Sequence, residues 1–176
     1  MNQVLQKLAG DDRRAIGKSN EVVAQVLARP SLFRLVFEGL LDDDPIIRMR
    51  AADAVEKVSS KRPEYLKPYK KTLLRRVAAV NQQEVRWHVA QMIPRLDLTP
   101  AERAEAVCLL VDFLADRSSI VRTFAMQALA DIAAQDAVFE PQVVGLLRAL
   151  TETGTSAMRA RGRKLLENLK RRRTKA

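Results

Sequence analysis

Four stretches of the chain repeat one short pattern at intervals of 36 to 38 residues, each pairing an apolar residue with arginine. The pairs are Ile47-Arg48, Val85-Arg86, Val121-Arg122 and Met158-Arg159. Small or apolar residues follow every pair at offsets of 4, 7, 8 and 11, which is the spacing of one helix face. A fixed period of this length is typical of stacked helical repeats. The sequence therefore predicts an all-α fold of consecutive helix pairs.

Composition limits the settings in which such a chain works. At 176 residues it has the length of one domain, and its single cysteine rules out an internal disulfide. No apolar run approaches the roughly 20 residues that span a bilayer, and the polar N-terminal stretch lacks a signal-peptide core. We therefore expect a cytoplasmic protein with no membrane association.

The net charge of +10 is unevenly distributed. Residues 158–176 hold nine lysines and arginines against one glutamate, whereas the rest of the chain holds 22 basic against 20 acidic residues. A second basic run, residues 61–76, has seven basic residues and one acid. Such patches attract nucleic acid, acidic proteins or anionic lipid, and charge alone does not choose among them. The candidate polyanion contacts are Lys67, Lys70, Lys71, Arg75, Arg171, Arg172 and Arg173.

Helix boundary signals support the pairing. Thr99-Pro100-Ala101-Glu102 has the pattern of a capping box, and Pro45 suits the first turn of a helix after three aspartates. A first helix is predicted over Glu64–Val80, bent or restarted at Pro68. Pro94 and Gly162 interrupt the apolar pattern and are predicted to loosen the packing locally.

The segments Asp42–Val58 (DDDPIIRMRAADAVEKV) and Asp116–Ala133 (DRSSIVRTFAMQALADIA) carry the clearest copies of the pattern. The arrangement resembles HEAT repeats, in which the second helix of each antiparallel pair opens near an apolar-Arg doublet. The resemblance implies a right-handed α-α superhelix of about five helix pairs, the first degenerate, in one domain over residues 1–170. The expected units are 1–30, 31–60, 61–97, 98–135 and 136–170, followed by a frayed basic tail over 171–176.

In HEAT-like arrays the second helices line the concave wall, so the residues opposite the inward face become candidates for binding a partner. They are Met49, Asp53, Trp87, Gln91, Thr123, Gln127 and Lys164. Trp87, the only tryptophan, is either a binding anchor or a filler between repeats. The repeated arginine is interpreted as structural, bonding to acids or helix-end carbonyls of a neighbouring turn, because residues present in every unit usually serve stacking.

No catalytic residue, cofactor or metal site is predicted. His88 and Glu84 together fall short of a metal ligand set, and Asp42–Asp44 lack the glycine and distal glutamate of a calcium loop. Cys108 is predicted to be a small core residue on an apolar stripe. Nothing in the sequence points to a small-molecule substrate.

The leading functional hypothesis is a non-catalytic scaffold that binds another protein through the concave wall. The alternative is nucleic-acid binding through the basic segments, including an enzymatic form similar to HEAT-like alkylpurine DNA glycosylases. That enzyme would need a carboxylate beside an aromatic ring, and Trp87 with Asp53 is the one candidate pair, although the two residues belong to different repeats. A role as accessory to a pigment-attaching lyase, another HEAT-like class, has no specific residue in its favour.

Overall fold

The computed structural model describes residues 3–12 and 15–174. Helices account for 81% of the structure, and no strand occurs in the described ranges. This confirms the predicted all-α class. No helix of the described part is both long and apolar enough to cross a membrane.

Ten α-helical segments follow one another along the described chain. They are α1 (Gln3–Gln6), α2 (Ser19–Ala28), α3 (Phe33–Glu38), α4 (Pro45–Lys61), α5 (Lys70–Thr72), α6 (Gln83–Met92), α7 (Pro100–Phe113), α8 (Ser119–Gln135), α9 (Glu140–Thr153) and α10 (Ser156–Arg173). Short 3₁₀ turns lie at Pro30–Leu32, Gly39–Leu41, Pro63–Tyr69, Ile93–Arg95 and Ala137–Phe139. The chain divides into two compact units, Met1–Asp97 and Leu98–Ala176, and the division falls between the predicted third and fourth repeats.

In the first unit, α4 packs against α2, α3 and α6. The predicted inward positions in and just beyond α4 and α6 are buried: Ile47, Ala51, Ala54, Val55 and Val58 on α4, Val85, Val89 and Met92 on α6, and Ile93 and Leu96 after its end. Phe37, Leu40, Leu66 and Leu73 complete this core. The 3.6-residue period of the sequence therefore identified the buried faces of α4 and α6 correctly.

In the second unit, α8 packs against α7, α9 and α10. The predicted inward residues of α8 are buried throughout, as are those of α10 except Leu166, which is half-buried. Ala130, which does not belong to the predicted inward set of α8, is buried as well, since a small side chain on this central helix is covered by its neighbours.

The inward face of α7 does not include Cys108, which was predicted to be a core residue. Ala106, Val107, Leu110 and Phe113 are buried, whereas Ala104 is exposed. At 100° per residue, Cys108 is turned by roughly 140° from Phe113 around the helix axis. Cys108 consequently lies on the solvent side and is exposed, so its assignment to the core was wrong.

The predicted capping signals are confirmed. The Thr99 hydroxyl accepts the backbone N–H of Glu102, and the Glu102 carboxylate accepts the backbone N–H of Thr99 at 2.9 Å. At the start of α4, the Asp44 carboxylate accepts the Ile46 N–H at 2.8 Å. The aspartates before Pro45 therefore serve the helix start, where unpaired N–H groups need acceptors.

Both interior prolines change the local helix type. The predicted helix over Glu64–Val80 is split into a 3₁₀ stretch containing Pro68, one α-turn and a π-turn at Leu73–Val77. Likewise α6 ends at Met92, and Pro94 lies in a 3₁₀ turn. Proline removes a backbone donor and crowds the preceding turn, so the regular ladder does not continue through it.

The C-terminal basic residues continue a helix. Arg171, Arg172 and Arg173 form the last turn of α10, whereas Lys175 and Ala176 lie outside the described residues. Arg171 pairs with Glu167 at 2.5 Å, and Arg172 donates to the Ala134 carbonyl at 3.1 Å. The expectation of a frayed segment from 171 onwards was therefore wrong for these three arginines.

Candidate functional site

A cavity of about 420 Å³ opens between α4, α6 and the N-terminal segment in the first unit. Its lining residues are Ala15, Ile16, Met49, Arg50, Asp53, Glu84, Trp87 and His88. Met49 and Asp53 are one turn apart on α4, and Glu84 and His88 are one turn apart on α6. Helical spacing alone therefore directs each of these pairs to one side of its helix.

The structure brings together three of the seven predicted wall residues. Met49, Asp53 and Trp87 line the same cavity, and all three are half-buried. Gln91 lies one turn beyond Trp87, where its amide donates to the Trp87 carbonyl at 3.2 Å. Asp53 and Trp87 thus share a cavity despite belonging to different predicted repeats.

Trp87 combines features of both its interpretations. Its side chain packs against the neighbouring imidazole, with the ring centroids of Trp87 and His88 5.7 Å apart. It also remains partly accessible in the cavity. A tryptophan in this position offers a large rigid surface to an incoming group at little cost in side-chain entropy.

The two carboxylates of the cavity differ in their partners. Asp53 accepts hydrogen bonds from the Ser19 hydroxyl at 2.5 Å and from the Lys57 ammonium at 2.7 Å. Glu84 accepts only the side-chain amide of Gln83, at 3.1 Å, within the described residues. Asp53 is therefore already neutralised by a cation, whereas the charge of Glu84 is not.

His88 is held in its neutral form. Burial lowers the pKa of its imidazole below the ordinary 6.5, against the opposing effect of the nearby Asp53 and Glu56 carboxylates, while Lys57 and Arg95 lower it further. Its Nδ1 atom is buried and has no hydrogen-bond partner in the described part of the chain. Near pH 7 the ring therefore adds no positive charge to the cavity.

The lowered pKa of His88 predicts a pH-dependent stability. As pH falls below about 6.5, the unfolded chain takes up a proton at His88 before the folded chain does. The free energy of unfolding therefore decreases as the pH falls, until the pH lies below the pKa of His88 in the folded state. In a His88→Gln variant this contribution is absent. Urea unfolding at about pH 7 and pH 5 is expected to show a smaller loss in the variant than in the wild type. Equal losses in both proteins would contradict a buried neutral imidazole.

The N-terminal wall of the cavity is held in place by Arg50. This side chain is only 4% exposed, and its guanidinium donates to the carbonyls of Leu8, Ala9, Asp12 and Ala15 at 2.5–3.1 Å. Four carbonyls around one guanidinium hold the described residues 8–12 and 15–16 against α4. Ile16 remains 43% exposed at the cavity.

Two glycines make this arrangement possible. Gly10 and Gly17 have φ angles of 146° and 53°, a region that L-residues with a side chain rarely adopt. A Cβ atom at either position would lie 2.7 or 2.8 Å from the Arg50 guanidinium. Sequence reasoning found no role for these glycines, because the arginine that requires them is more than thirty residues away.

The repeated arginines have structural partners. Arg48 donates to the carbonyls of Asp42 and Asp43, Arg86 to that of Val80, and Arg159 to that of Gly154, each five or six residues earlier. Arg48 also donates to the Gln82 side chain at 2.9 Å, and Gln82 donates to the Pro45 carbonyl at 2.8 Å. These bonds confirm the predicted role in holding turns and neighbouring helices. Arg122 differs, since its Nε is buried and has no hydrogen-bond partner among the residues that the structure describes.

The remaining wall residues lie in the second unit. Thr123 donates to the Ser119 carbonyl at 2.7 Å, and the Gln127 side chain bonds to both Asp131 and Arg161. Lys164 is exposed on α10.

The predicted polyanion contacts are mostly accessible. Lys67, Lys71 and Arg75 are exposed in the first unit, whereas Lys70 is half-buried and donates to the Asp97 carbonyl at 2.8 Å. On α10, seven basic side chains are exposed with a single acid, Glu167. The exposed basic residues are Arg159, Arg163, Lys164, Lys170, Arg171, Arg172 and Arg173.

Comparison with protein-family models, with curated proteins and with solved structures finds no match to this chain. The structure itself defines an all-helical protein with a cavity between α4, α6 and the N-terminal segment.

Proposed function

We propose that this chain is a HEAT-like interaction scaffold that binds a segment of another protein in the cavity beside Trp87. The observation that carries the proposal is the combination of a half-exposed tryptophan with accessible apolar side chains, Met49 and Ile16, in one concave site. Tryptophan is enriched among the few residues that dominate binding energy at protein interfaces.

The site is rigid before a partner arrives. Met49 and Asp53 lie on α4, whose first turn is capped by Asp44. The hydrogen bonds of Arg50 hold the N-terminal segment, which forms the side of the cavity not formed by α4 and α6. A partner that docks here needs to order little of the receptor, so more of the contact energy appears as affinity.

The bonding of Asp53 supports a binding role over a catalytic one. A carboxylate that acts as a general base needs a free oxygen within reach of substrate and a pKa matched to the task. Asp53 is instead engaged by Ser19 and Lys57, and Lys57 is itself held by the Asn20 side chain at 2.9 Å. The proximity of Asp53 to Trp87 is thus weak support for a glycosylase-like activity.

The Trp87→Ala substitution is expected to weaken binding of a native partner by roughly 30-fold or more, equivalent to about 2 kcal/mol, because it removes the largest accessible side chain of the cavity. Affinity purification from the native host at two salt concentrations would supply the partner. Its dissociation constant would then be measured for wild type and variant by calorimetry.

Two further variants make the result interpretable. Met49→Lys adds a charge at the cavity and is expected to weaken the same partner, whereas Val138→Ala, at a 79% exposed site in the second unit, is expected to leave affinity unchanged. Circular dichroism confirms that helix content is retained. If the captured partner binds Trp87→Ala and Met49→Lys as tightly as the wild type, the cavity is not the docking site.

A second candidate function, polyanion binding, is favoured by the exposed basic face of α10. Arg159, Arg163, Lys170 and Arg173 follow one another at helical spacing on one stripe. Such a stripe follows the phosphates of a nucleic acid without reading its sequence.

Replacing these four residues with glutamine is expected to lower affinity for a duplex DNA at low salt and to reduce the slope of log affinity against log salt by about 3 to 4. Fluorescence anisotropy over about 50–200 mM salt measures both quantities. Lys67→Gln with Lys71→Gln tests the other basic run separately. Absence of wild-type binding at the lowest salt would eliminate this candidate.

A further inference from the structure

The cavity beside Trp87 is lined by electron-rich groups, although the chain as a whole carries a net charge of +10. Glu84 and Asp53 contribute carboxylates. Among the described lining residues the one basic side chain, that of Arg50, directs its guanidinium to four backbone carbonyls of the N-terminal segment. The charge that remains uncompensated in the lining is therefore that of Glu84, whose carboxylate accepts only the neutral Gln83 amide within the described residues.

The two rings of the lining favour the same kind of ligand. The face of an indole ring carries partial negative charge and attracts ammonium and guanidinium groups, tryptophan most strongly of the aromatic residues. Burial lowers the pKa of the adjacent His88, so near pH 7 its ring is neutral and does not repel a cation.

The apolar part of the cavity suits the rest of such a ligand. Lysine and arginine each carry a charged end on an aliphatic stem, and the stem packs readily against apolar surface. Met49, Ala15 and Ile16 supply that surface next to the carboxylates and the indole.

We infer that the cavity accepts the basic side chain of a partner protein, with its cationic end between the Trp87 ring and the Glu84 carboxylate and its stem against Met49 and Ile16. The inference rests on the proposed function and adds to it the chemistry of the residue that is bound. Lysine and arginine offer only hydrogen-bond donors at their charged ends, which matches a lining that offers acceptors and an aromatic face.

The single tryptophan of the chain provides a direct measurement, because all indole fluorescence comes from Trp87. The probe is Nα-acetylarginine amide, titrated at constant ionic strength, and the matched control is Nα-acetylcitrulline amide, which has nearly the same shape without the charge. We expect saturable quenching with a dissociation constant in the millimolar range for the arginine probe. The citrulline probe should bind at least about fivefold more weakly.

Glu84→Gln isolates the contribution of the carboxylate without removing bulk. This variant should bind the arginine probe about five- to tenfold more weakly, as expected for the loss of one charge-assisted contact. Glu167→Gln, which neutralises an exposed acid on α10, should bind it as the wild type does. Nα-acetyllysine amide should show the same dependence on Glu84.

Two results would overturn the inference: equal binding of the arginine and citrulline probes, or an affinity for the arginine probe that does not change in Glu84→Gln. Failure of the inference is distinguishable from failure of the proposed function. A partner that is lost in Trp87→Ala but kept in Glu84→Gln shows a docking site for a neutral group. If the cavity binds the arginine probe but native partners bind Trp87→Ala as tightly as the wild type, the cavity is a cation site and not the protein-docking surface.

Discussion

Arg50→Ala is expected to lower the free energy of unfolding by about 3–5 kcal/mol. The substitution removes a side chain that is 4% exposed and leaves the carbonyls of Leu8, Ala9, Asp12 and Ala15 without their shared donor. A buried acceptor that loses its partner costs more than the hydrogen bond itself was worth. Urea-induced unfolding followed by circular dichroism measures the change.

Hydrogen exchange locates the effect of the same substitution. The amides of residues 8–12 and 15–16 should lose protection in Arg50→Ala more than those of α7 to α10 do, because the attachment of these residues to α4 depends on this one guanidinium. Arg50→Lys keeps the charge but loses the planar fork, so it should recover less than half of the lost stability.

The matched control is Arg34→Ala. The Arg34 guanidinium is 69% exposed and contacts Glu38 at 3.8 Å across one helical turn, an arrangement of little energetic value. The urea midpoint of the Arg34→Ala variant should match that of the wild type. If Arg50→Ala were as stable as Arg34→Ala, the four hydrogen bonds from Arg50 to backbone carbonyls would not be what holds the N-terminal segment.

Gly162→Ala is expected to destabilise the protein by about 2–3 kcal/mol, although alanine is the better helix former. A Cβ atom at position 162 would lie 2.0 Å from the Thr151 hydroxyl oxygen and 3.2 Å from the Met126 methyl group. The Thr151 hydroxyl is itself fixed by a hydrogen bond to the Leu147 carbonyl at 2.6 Å. Glycine therefore permits α9 and α10 to approach closely, and the prediction that it loosens the packing was wrong.

A double-mutant cycle tests that explanation. Thr151→Ala removes the hydroxyl oxygen that lies nearest to a Cβ atom at position 162. In that background Gly162→Ala should lower the free energy of unfolding only slightly, so the coupling energy should be about 2 kcal/mol. Gly145→Ala in α9 is the control, since a Cβ there meets no atom within 4 Å. This control should stabilise the protein by roughly 0.5–1 kcal/mol through helix propensity. A Gly162→Ala variant as stable as Gly145→Ala would refute the close approach.

The predictions from sequence succeeded where the physical cause is local. The apolar spacing of α4, α6 and α8 identified their buried faces, because side chains three and four residues apart share one side of a helix. The capping box at Thr99 was recognised because its donors and acceptors lie within four residues of each other.

The predictions failed where neighbours from other elements decide. The pattern of α7 was compatible with two adjacent inward faces, and packing selected the one containing Phe113 rather than the one containing Cys108. Similarly, the charge run at Arg171–Arg173 was expected to fray, but bonds to Glu167 and to the Ala134 carbonyl accompany one more turn of helix.

The candidate site shows the same division. Repeat spacing together with the resemblance to HEAT arrays selected Met49, Asp53 and Trp87, since each was predicted to lie opposite an inward face on its own helix. Only the structure identified Glu84 as a lining residue of the cavity, and the same holds for Ala15 and Ile16, which come from outside the predicted regular repeats.

By itself the sequence determined that the chain is helical, where several helices begin, and which faces of the second helices are buried. These properties depend on residues within about one or two turns of each other. The tertiary structure alone decided that the Arg50 guanidinium meets the carbonyls of Leu8, Ala9, Asp12 and Ala15, and that Ala15 and Ile16 line one side of the cavity. That contact joins residues about 35 to 42 positions apart, and no local period specifies which buried carbonyls a distant guanidinium will meet.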